Sequence, residues 1–318
     1  MPLPIVYFGS GAFGIPTLAR IASEHTLVGV VTQPDRPAGR GGKLTPTPVA
    51  EWCAANVPAV EVIKPEKINA PEVVAKIQAW GAKHYLVIAY GQKIGKAILD
   101  GKFAINLHAS LLPRWRGAAP INRAILAGDS ETGNSVITLA DKMDAGLVLG
   151  TTRRRIESTH TTGDLHDLLA QDGPSAVFRV LREEQQGALM PDEQDESRVT
   201  LAGKLSRADA QLDFSKSATE CRCRINGLSP WPGVTVKIGE TQVKLLRAGD
   251  VLTAPATGEP GSIVDVEQGQ LLCAERTAVQ LIEVQPAGKR PMSWSDFVRG
   301  NVIQRGAIVT NVVHEGGA

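Results

Sequence analysis

The sequence of 318 residues lacks the features of several protein classes. Its four cysteines, Cys53, Cys221, Cys223 and Cys273, are too few and too scattered for a disulfide framework. No run of apolar residues approaches the ~18 that a membrane span requires. The opening MPLPIVYFGS has neither the basic segment nor the apolar length of a secretory signal. These absences predict a cytoplasmic protein without a membrane partner.

The composition as a whole does not indicate that the protein binds a metal ion or a polyanion. Cys221 and Cys223 form a C-x-C pair, but no second pair stands at zinc-binding spacing, so ordinary thiols and no metal are expected. The formal net charge of +1 provides no overall attraction for a nucleic acid. Binding of RNA would therefore depend on local basic patches.

The length and the pattern of apolar runs favour two domains. From Pro4 to Ile105, short β-branched runs alternate with helical segments, which is typical of βαβ units in a mainly parallel sheet with helices on both faces. The segment from Arg182 to Arg198 is acidic and poor in large apolar residues, which indicates a linker. The short β-like runs beyond it predict a small barrel, and an OB-type barrel is the candidate.

Two local patterns predict how the middle of the chain turns. Apolar runs over 134–140 and 147–152 predict two strands around a tight turn at 143–146. Thr161 and Asp164 have the spacing of a capping box, which predicts the start of a helix.

A glycine-rich turn stands near the start of the chain. Gly9, Gly11 and Gly14 match G-x-G-x-x-G between a predicted strand and a predicted helix, the context of a dinucleotide-binding fingerprint. An NAD site also needs an acid at the end of the second strand, but Asp35 arrives only after a proline. The alternative is a turn whose glycines let a helix pack closely against its strand. We favour that alternative and expect no NAD.

Asn106 and His108 stand two residues apart at the end of a predicted strand, so their side chains point to the same side. Ligands of a doubly wound sheet bind beyond this end of the strands. Acyl transfer to an amine needs a donor for the developing oxyanion, a proton acceptor and a partner that orients the acceptor. Asn106, His108 and Asp144 can supply these functions if Asp144 lies near His108. A histidine that only satisfies the sheet end remains the alternative.

The segment Ile105–Leu149 resembles the signature region of folate-dependent formyltransferases, and within them the branch that acts on methionyl-tRNA. The resemblance implies that Asn106, His108 and Asp144 are catalytic and that 10-formyltetrahydrofolate is the formyl donor. It implies that the acceptor is the α-amino group of methionine on initiator tRNA. The implied fold is α/β, with a Rossmann-like domain over 1–183, a linker over 184–203 and a smaller OB-like β-barrel domain over 204–318. We expect a monomer.

The same resemblance implies two sets of binding residues. Folate is expected to contact two segments that flank the catalytic strand, with Ile88, Tyr90, Gly91 and Gln92 in the first and Ser110, Leu111, Leu112 and Pro113 in the second. The tRNA is expected to contact basic residues of a flexible loop after the second strand and of the C-terminal part, namely Arg36, Arg40, Lys43, Lys204, Arg207, Lys289 and Arg290. From the residues alone, the loop could equally be a solvated surface segment.

Three other functions remain open at this point. A formyltransferase acting on a nucleotide-sugar or another small amine would keep the three catalytic residues but ignore tRNA. A nicotinamide dehydrogenase would use the glycine-rich turn. A non-catalytic RNA-binding protein would bind tRNA without transferring a formyl group.

Overall fold

The structure is a computed structural model that describes residues 1–38, 42–251, 253 and 258–312. The chain divides into two compact units. The first unit consists of Met1–Arg116, Gly133–Arg153 and Asp167–Thr200, and the second consists of Gly117–Thr132, Arg154–His166 and Leu201–Ala318. Each unit therefore combines segments that are distant in the sequence.

Strands and short helices alternate through the first half of the chain. In order they are β1 Pro4–Gly9, α1 Ile15–Glu24, β2 Thr26–Val31, β3 Arg36–Ala38, β4 Lys43–Thr45, α2 Pro48–Asn56, β5 Val62–Ile63, α3 Pro71–Ala79, β6 His84–Ile88, α4 Lys96–Leu99, β7 Phe103–His108, β8 Arg116–Gly117, α5 Pro120–Leu126, β9 Glu131–Thr138 and β10 Val148–Arg155.

The second half opens with the longest described helix and continues mainly as strands. The elements are α6 Thr162–Gln185, β11 Leu201–Ala202, α7 Ala218–Gly227, β12 Val234–Ile238, β13 Thr241–Val251, β14 Ile263–Asp265, β15 Gln270–Leu272, β16 Ala278–Pro286, β17 Met292–Ser293, α8 Trp294–Arg299 and β18 Val309–Asn311.

A seven-stranded sheet in the order β10-β9-β7-β6-β1-β2-β5 forms the centre of the first unit. The pairs from β5 to β7 are all parallel, whereas β9 runs antiparallel to β7. Val6 and Phe8 of β1 stand opposite Tyr85 and Val87 of β6, and all four belong to one buried core cluster. The prediction of a mainly parallel sheet within a mixed α/β fold is confirmed.

The glycine-rich turn brings a helix close to the first strand. A Cβ atom on Gly14 would lie 1.9 Å from the Tyr7 hydroxyl, and one on Gly9 would lie 2.6 Å from the Ile88 carbonyl oxygen. Packing therefore requires Gly9 and Gly14, which agrees with the close-packing interpretation, whereas a Cβ on Gly11 would meet only Ala89 at 3.9 Å. The residue after β2, where an NAD site would need an acid, is Thr32, whose hydroxyl forms hydrogen bonds with the hydroxyls of Ser10 and Thr47.

The second unit is built on an antiparallel sheet in the order β14-β15-β16-β13-β12-β18, with β17 paired to β16. Inward residues alternate along β12, where Val234, Val236 and Ile238 are buried. Helix α7 begins with a capping box between Ser217 and Glu220 and contributes Ile225 to the same core. The coarse prediction of a second, mainly β domain is confirmed.

The segment predicted as a linker is more ordered than its composition indicates. Helix α6 begins at the predicted capping box, where Thr161 and Asp164 bond each other, and it extends to Gln185. Asp192 then forms an antiparallel bridge with Val148. A 3₁₀ turn follows at Glu196–Arg198. The segment is nonetheless mostly exposed, and the linker over 184–203 stays a prediction.

Neither a membrane-spanning helix nor a metal-binding cluster occurs in the described ranges. No helix there is long and apolar enough to cross a membrane. Within the same ranges, no group of three or more His, Cys, Asp or Glu residues is arranged to hold a metal ion.

Candidate active site

Asn106 and His108 lie at the carboxyl end of β7, in the interior of the first sheet. Strand β7 pairs with β6 on one side and β9 on the other, and His108 stands opposite Ser135. These flanking strands fix the direction of both side chains. The His108 ring is almost completely buried, with 8% of its side chain exposed.

Asp144 reaches this pair from the turn between β9 and β10. Its Oδ1 lies 3.5 Å from Asn106 Nδ2, and its Oδ2 lies 3.6 Å from His108 Nδ1. The residue adopts the left-handed conformation, with φ of 53°, which is uncommon for a residue other than glycine. The turn brings Gly146 so close to Thr138 that a Cβ on Gly146 would lie 1.7 Å from the Thr138 carbonyl oxygen. The structure thus brings together the three residues predicted to be catalytic.

The loop after β7 orients the His108 ring from its other edge. His108 Nε2 lies 2.9 Å from the carbonyl oxygen of Trp115, and Trp115 is itself left-handed, with φ of 63°. A carbonyl oxygen only accepts, so Nε2 carries the hydrogen in this contact. Ser110 Oγ donates to the Arg114 carbonyl, and Ser135 Oγ donates to the Ser110 carbonyl. These bonds tie the loop to β9.

A glutamine that the sequence analysis did not single out contacts the Asp144 turn. Gln194 Nε2 lies 2.8 Å from the carbonyl oxygens of both Asp144 and Gly146. Its Oε1 accepts a hydrogen bond of 2.9 Å from Nε of Arg116, whose side chain is 6% exposed. Arg116 also donates to Glu196, and this hydrogen bond lowers the pKa of the Glu196 carboxyl. The linker composition gave no signal of these contacts.

The residues predicted to bind folate lie on both sides of β7. Ile88 and Tyr90 are buried, and Tyr90 packs edge-on against Phe8. Burial raises the pKa of the Tyr90 hydroxyl. Gly91, by contrast, is exposed, with φ of 92°.

The remaining folate candidates differ in exposure. Gln92 is half-buried and bonds Ile68 and Pro65, so it ties two loops together. Ser110 is fully buried, whereas its neighbours are half-buried, namely Leu111, Leu112 and Pro113. The folate contacts stay predictions.

The described residues predicted to bind tRNA are all exposed: Arg36, Lys43, Lys204, Arg207, Lys289 and Arg290. Arg40 lies outside the described residues. Arg36 and Lys43 lie on β3 and β4, which pair antiparallel, so the predicted loop is a short hairpin on either side of 39–41. Arg36 is ion-paired with Glu66 at 2.7 Å. A phosphate would have to compete with that carboxylate.

Family comparisons cover both halves of the chain. The model described as "Formyl transferase" matches residues 5–181, and the one described as "Formyl transferase, C-terminal domain" matches residues 204–302. The first match includes Asn106, His108 and Asp144.

Proteins similar to this chain over nearly its whole length are named methionyl-tRNA formyltransferase. The one from Cereibacter sphaeroides is 40% identical over 308 residues, which cover 96% of this chain and 99% of that protein. The one from Bacillus subtilis is 37% identical over 310 residues, which cover 96% and 97%.

Solved structures share the fold at low identity. A sugar 3N-formyl transferase, WlaRD, solved with dTDP and 5-N-formyl-THF, superposes with a TM-score of 0.66 and 13% identity over 91% of this chain and all of that one. HypX from Aquifex aeolicus, in complex with tetrahydrofolic acid, gives a TM-score of 0.63 and 12% identity over 94% of this chain and 47% of that one. The domain matches and the full-length relatives together lead to one assignment: the chain belongs to the methionyl-tRNA formyltransferase family.

Proposed function

We propose that the chain transfers the formyl group of 10-formyltetrahydrofolate to the α-amino group of methionyl-initiator tRNA. Formyl transfer and the charged tRNA as acceptor follow from membership of the family. The single observation that carries the catalytic assignment is the approach of Asp144 to both Asn106 and His108. Such a cluster at the carboxyl end of a parallel strand occupies the usual ligand edge of the fold.

Asn106 is proposed to stabilise the oxyanion. The free amine attacks the formyl carbon, and the carbonyl electron pair moves to the oxygen of a tetrahedral intermediate. An amide nitrogen has two N–H groups, and one of them faces Asp144, so the other is available to the oxygen. Donors held in place before the reaction need no reorganisation as charge develops.

His108 and Asp144 are proposed to assist the transfer of a proton from the attacking amine to the folate. Collapse of the intermediate reforms the carbonyl and breaks the bond to N10 of the folate, which takes up a proton as the new amide nitrogen loses one. The His108 ring lies between a carboxylate and a carbonyl oxygen. With hydrogen on both nitrogens, it donates to the Trp115 carbonyl oxygen and carries a positive charge 3.6 Å from the Asp144 carboxylate.

The folate is proposed to lie along the edge formed by residues 88–92 and 110–113. Backbone groups support this location, because Ala89 and Gly91 are exposed with positive φ angles while the intervening Tyr90 is buried. Exposed backbone N–H and C=O groups suit a flat heterocycle with several polar atoms. Structural relatives solved with reduced folates support the choice of donor.

The tRNA is proposed to contact the hairpin that carries Arg36 and Lys43, together with Arg40, and four basic residues of the second unit: Lys204, Arg207, Lys289 and Arg290. Exposed basic side chains can replace the counterions of phosphates. This set is proposed to supply the local attraction that the net charge of +1 does not.

The proposal also covers the detailed fold of each domain, the domain limits, the oligomeric state and the cellular location. We propose that helices cover both faces of the first, Rossmann-like sheet and that the second sheet curls into an OB-like barrel. Register shifts between β13 and β16 support the curl, because bulges bend and twist strands. The domain limits 1–183, 184–203 and 204–318 are retained. A cytoplasmic monomer is proposed, and light scattering tests the monomer.

The deciding experiment incubates the protein with 10-formyltetrahydrofolate and initiator tRNA charged with methionine. Mass spectrometry of the amino acid released from the tRNA is expected to give formylmethionine. A competing nucleotide-linked amino sugar is expected to leave the rate unchanged. Formylation of the sugar in preference to the tRNA would favour the small-amine alternative and contradict the proposal.

A further inference from the structure

The segment after α6 is attached to the active-site loops at several points. Asp192 bonds the backbone of Val148 in both directions, at 2.8 and 2.9 Å. Two residues later, Gln194 extends its side chain toward the turn between β9 and β10. The bridge therefore fixes the backbone from which Gln194 projects.

Both the nitrogen and the oxygen of the Gln194 side-chain amide form hydrogen bonds. Nε2 has two hydrogens, and the carbonyl oxygens of Asp144 and Gly146 each lie 2.8 Å from it. Arg116 Nε donates to Oε1, which defines the end of the amide that is the oxygen. Since Arg116 is nearly buried and also bonds Glu196, the donor itself is held in place.

The two carbonyls that Gln194 binds control the direction of the Asp144 side chain. Asp144 is left-handed, a conformation that persists in a non-glycine residue only when its surroundings impose it. Tying the carbonyls on either side of Ala145 to one amide fixes the peptide planes of the turn. The carboxylate is thereby held at 3.5 Å from Asn106 and 3.6 Å from His108.

We propose that Gln194 is a positioning residue that holds the Asp144 carboxylate in register with Asn106 and His108. The inference rests on the proposed function, because it assigns Gln194 a role in the same reaction. The role assigned to Gln194 involves no contact with a substrate, because its side-chain nitrogen bonds the backbone carbonyls of Asp144 and Gly146. A displacement of about 1 Å in a reacting group costs on the order of a hundredfold in rate.

The test compares kcat and KM of Gln194→Glu with the parent, using methionyl-tRNA and 10-formyltetrahydrofolate. The substitution keeps the size of the side chain but puts an oxygen against two carbonyl oxygens. We expect kcat to fall roughly 10- to 100-fold, with both KM values within about twofold. The matched control is Gln78→Glu, since Gln78 Nε2 donates to the single carbonyl of Ala97 in the same unit. The control is expected to keep the parental kcat.

A double-mutant cycle separates positioning from a general loss of structure. In an Asp144→Asn background, Gln194→Glu is expected to lower kcat less than twofold further, because the group that it positions has been removed. Full additivity of the two effects would overturn the proposal. Gln194→Leu keeps the inference testable if the glutamate variant does not fold, and a parental kcat in Gln194→Leu would also overturn it. An inactive parent would instead contradict the proposed function.

Discussion

His108 Nδ1 lies 3.6 Å from Asp144 Oδ2, and the opposite ring nitrogen lies 2.9 Å from the carbonyl oxygen of Trp115. The imidazole is therefore oriented at both ends by groups that accept hydrogen bonds. With a hydrogen on Nε2 alone, the Nδ1 lone pair would face a carboxylate. With hydrogens on both nitrogens, the ring donates to the Trp115 carbonyl oxygen, forms an ion pair with Asp144 and adds a positive charge beside Asn106, where the oxyanion is proposed to form.

Replacing Asn106 with alanine is expected to lower kcat about a hundredfold or more, because loss of one oxyanion donor costs about 3 to 4 kcal/mol of transition-state stabilisation. The dissociation constant of the folate is expected to change little. Single-turnover formylation of methionyl-tRNA measures the effect. Asn56→Ala is the control, since Asn56 bonds only its own helix at the Trp52 carbonyl in the contacts described. A parental rate in Asn106→Ala would remove this residue from the mechanism.

The sequence could predict Asn106 and His108 because the two-residue period of a strand places both on one side. The approach of Asp144 could not be predicted from spacing, since it depends on the pairing of β9 with β7 and on a left-handed residue in the turn. The expectation that Asp144 belongs with these two residues came from the family resemblance. Gln194 was missed because an acidic, aperiodic segment carries no mark of a contact made 50 residues away in the sequence.

The fold shows the same limits. Alternating apolar runs predicted the parallel strands well, because burial on both faces selects β-branched residues. The family resemblance implied a flexible loop where β3 and β4 pair as a hairpin, and a ladder only three residues long on each side is too short to show as a strand pattern in the sequence. Backbone pairing rather than side-chain burial defines the hairpin.

Lys43→Ala and Arg40→Ala are each expected to raise KM for charged tRNA and to reduce its dependence on salt, leaving KM for folate unchanged. Each phosphate contact that is lost lowers the slope of log affinity against log salt by about 1. Lys83→Ala is the control, at an exposed lysine before the amino end of β6. Kinetics at several salt concentrations provide the measurement. If both variants kept the parental salt slope, neither Lys43 nor Arg40 would be a phosphate contact.

Gly146→Ala is expected to destabilise the protein by roughly 1 to 3 kcal/mol, because the added Cβ would lie 1.7 Å from the Thr138 carbonyl oxygen and backbone must move. The same movement displaces the Asp144 turn, so kcat is expected to fall as well. Urea unfolding and steady-state kinetics measure the two effects. Gly203→Ala is the control, since a Cβ added there would have no described atom within 4 Å and its φ is not positive. Equal stability of the two variants would contradict the predicted clash.

Asp164 is expected to make the stability of the second unit depend on pH. Burial opposes ionisation of this carboxyl, but hydrogen bonds from Arg247 and Thr161 outweigh it and lower the pKa from 3.8 to about 2. The folded-state pKa is depressed, so the stabilisation is fully present above about pH 4 and is lost as the pH falls through about 2. The side chains of Asp164 and Arg247 are 32% and 27% exposed, so screening limits the contribution to about 1 to 2 kcal/mol.

The measurement is the difference in unfolding free energy between the parent and Asp164→Asn as a function of pH. The unfolding free energy of the asparagine variant is expected to be lower by about 1 to 2 kcal/mol at pH 7. The difference between the two proteins is expected to narrow steadily between pH 4 and pH 2. Asp100→Asn, at an exposed aspartate after α4, controls for the loss of one negative charge. A difference that stayed constant down to pH 2 would mean that Asp164 stabilises the unit by its shape and hydrogen bonds rather than by its charge.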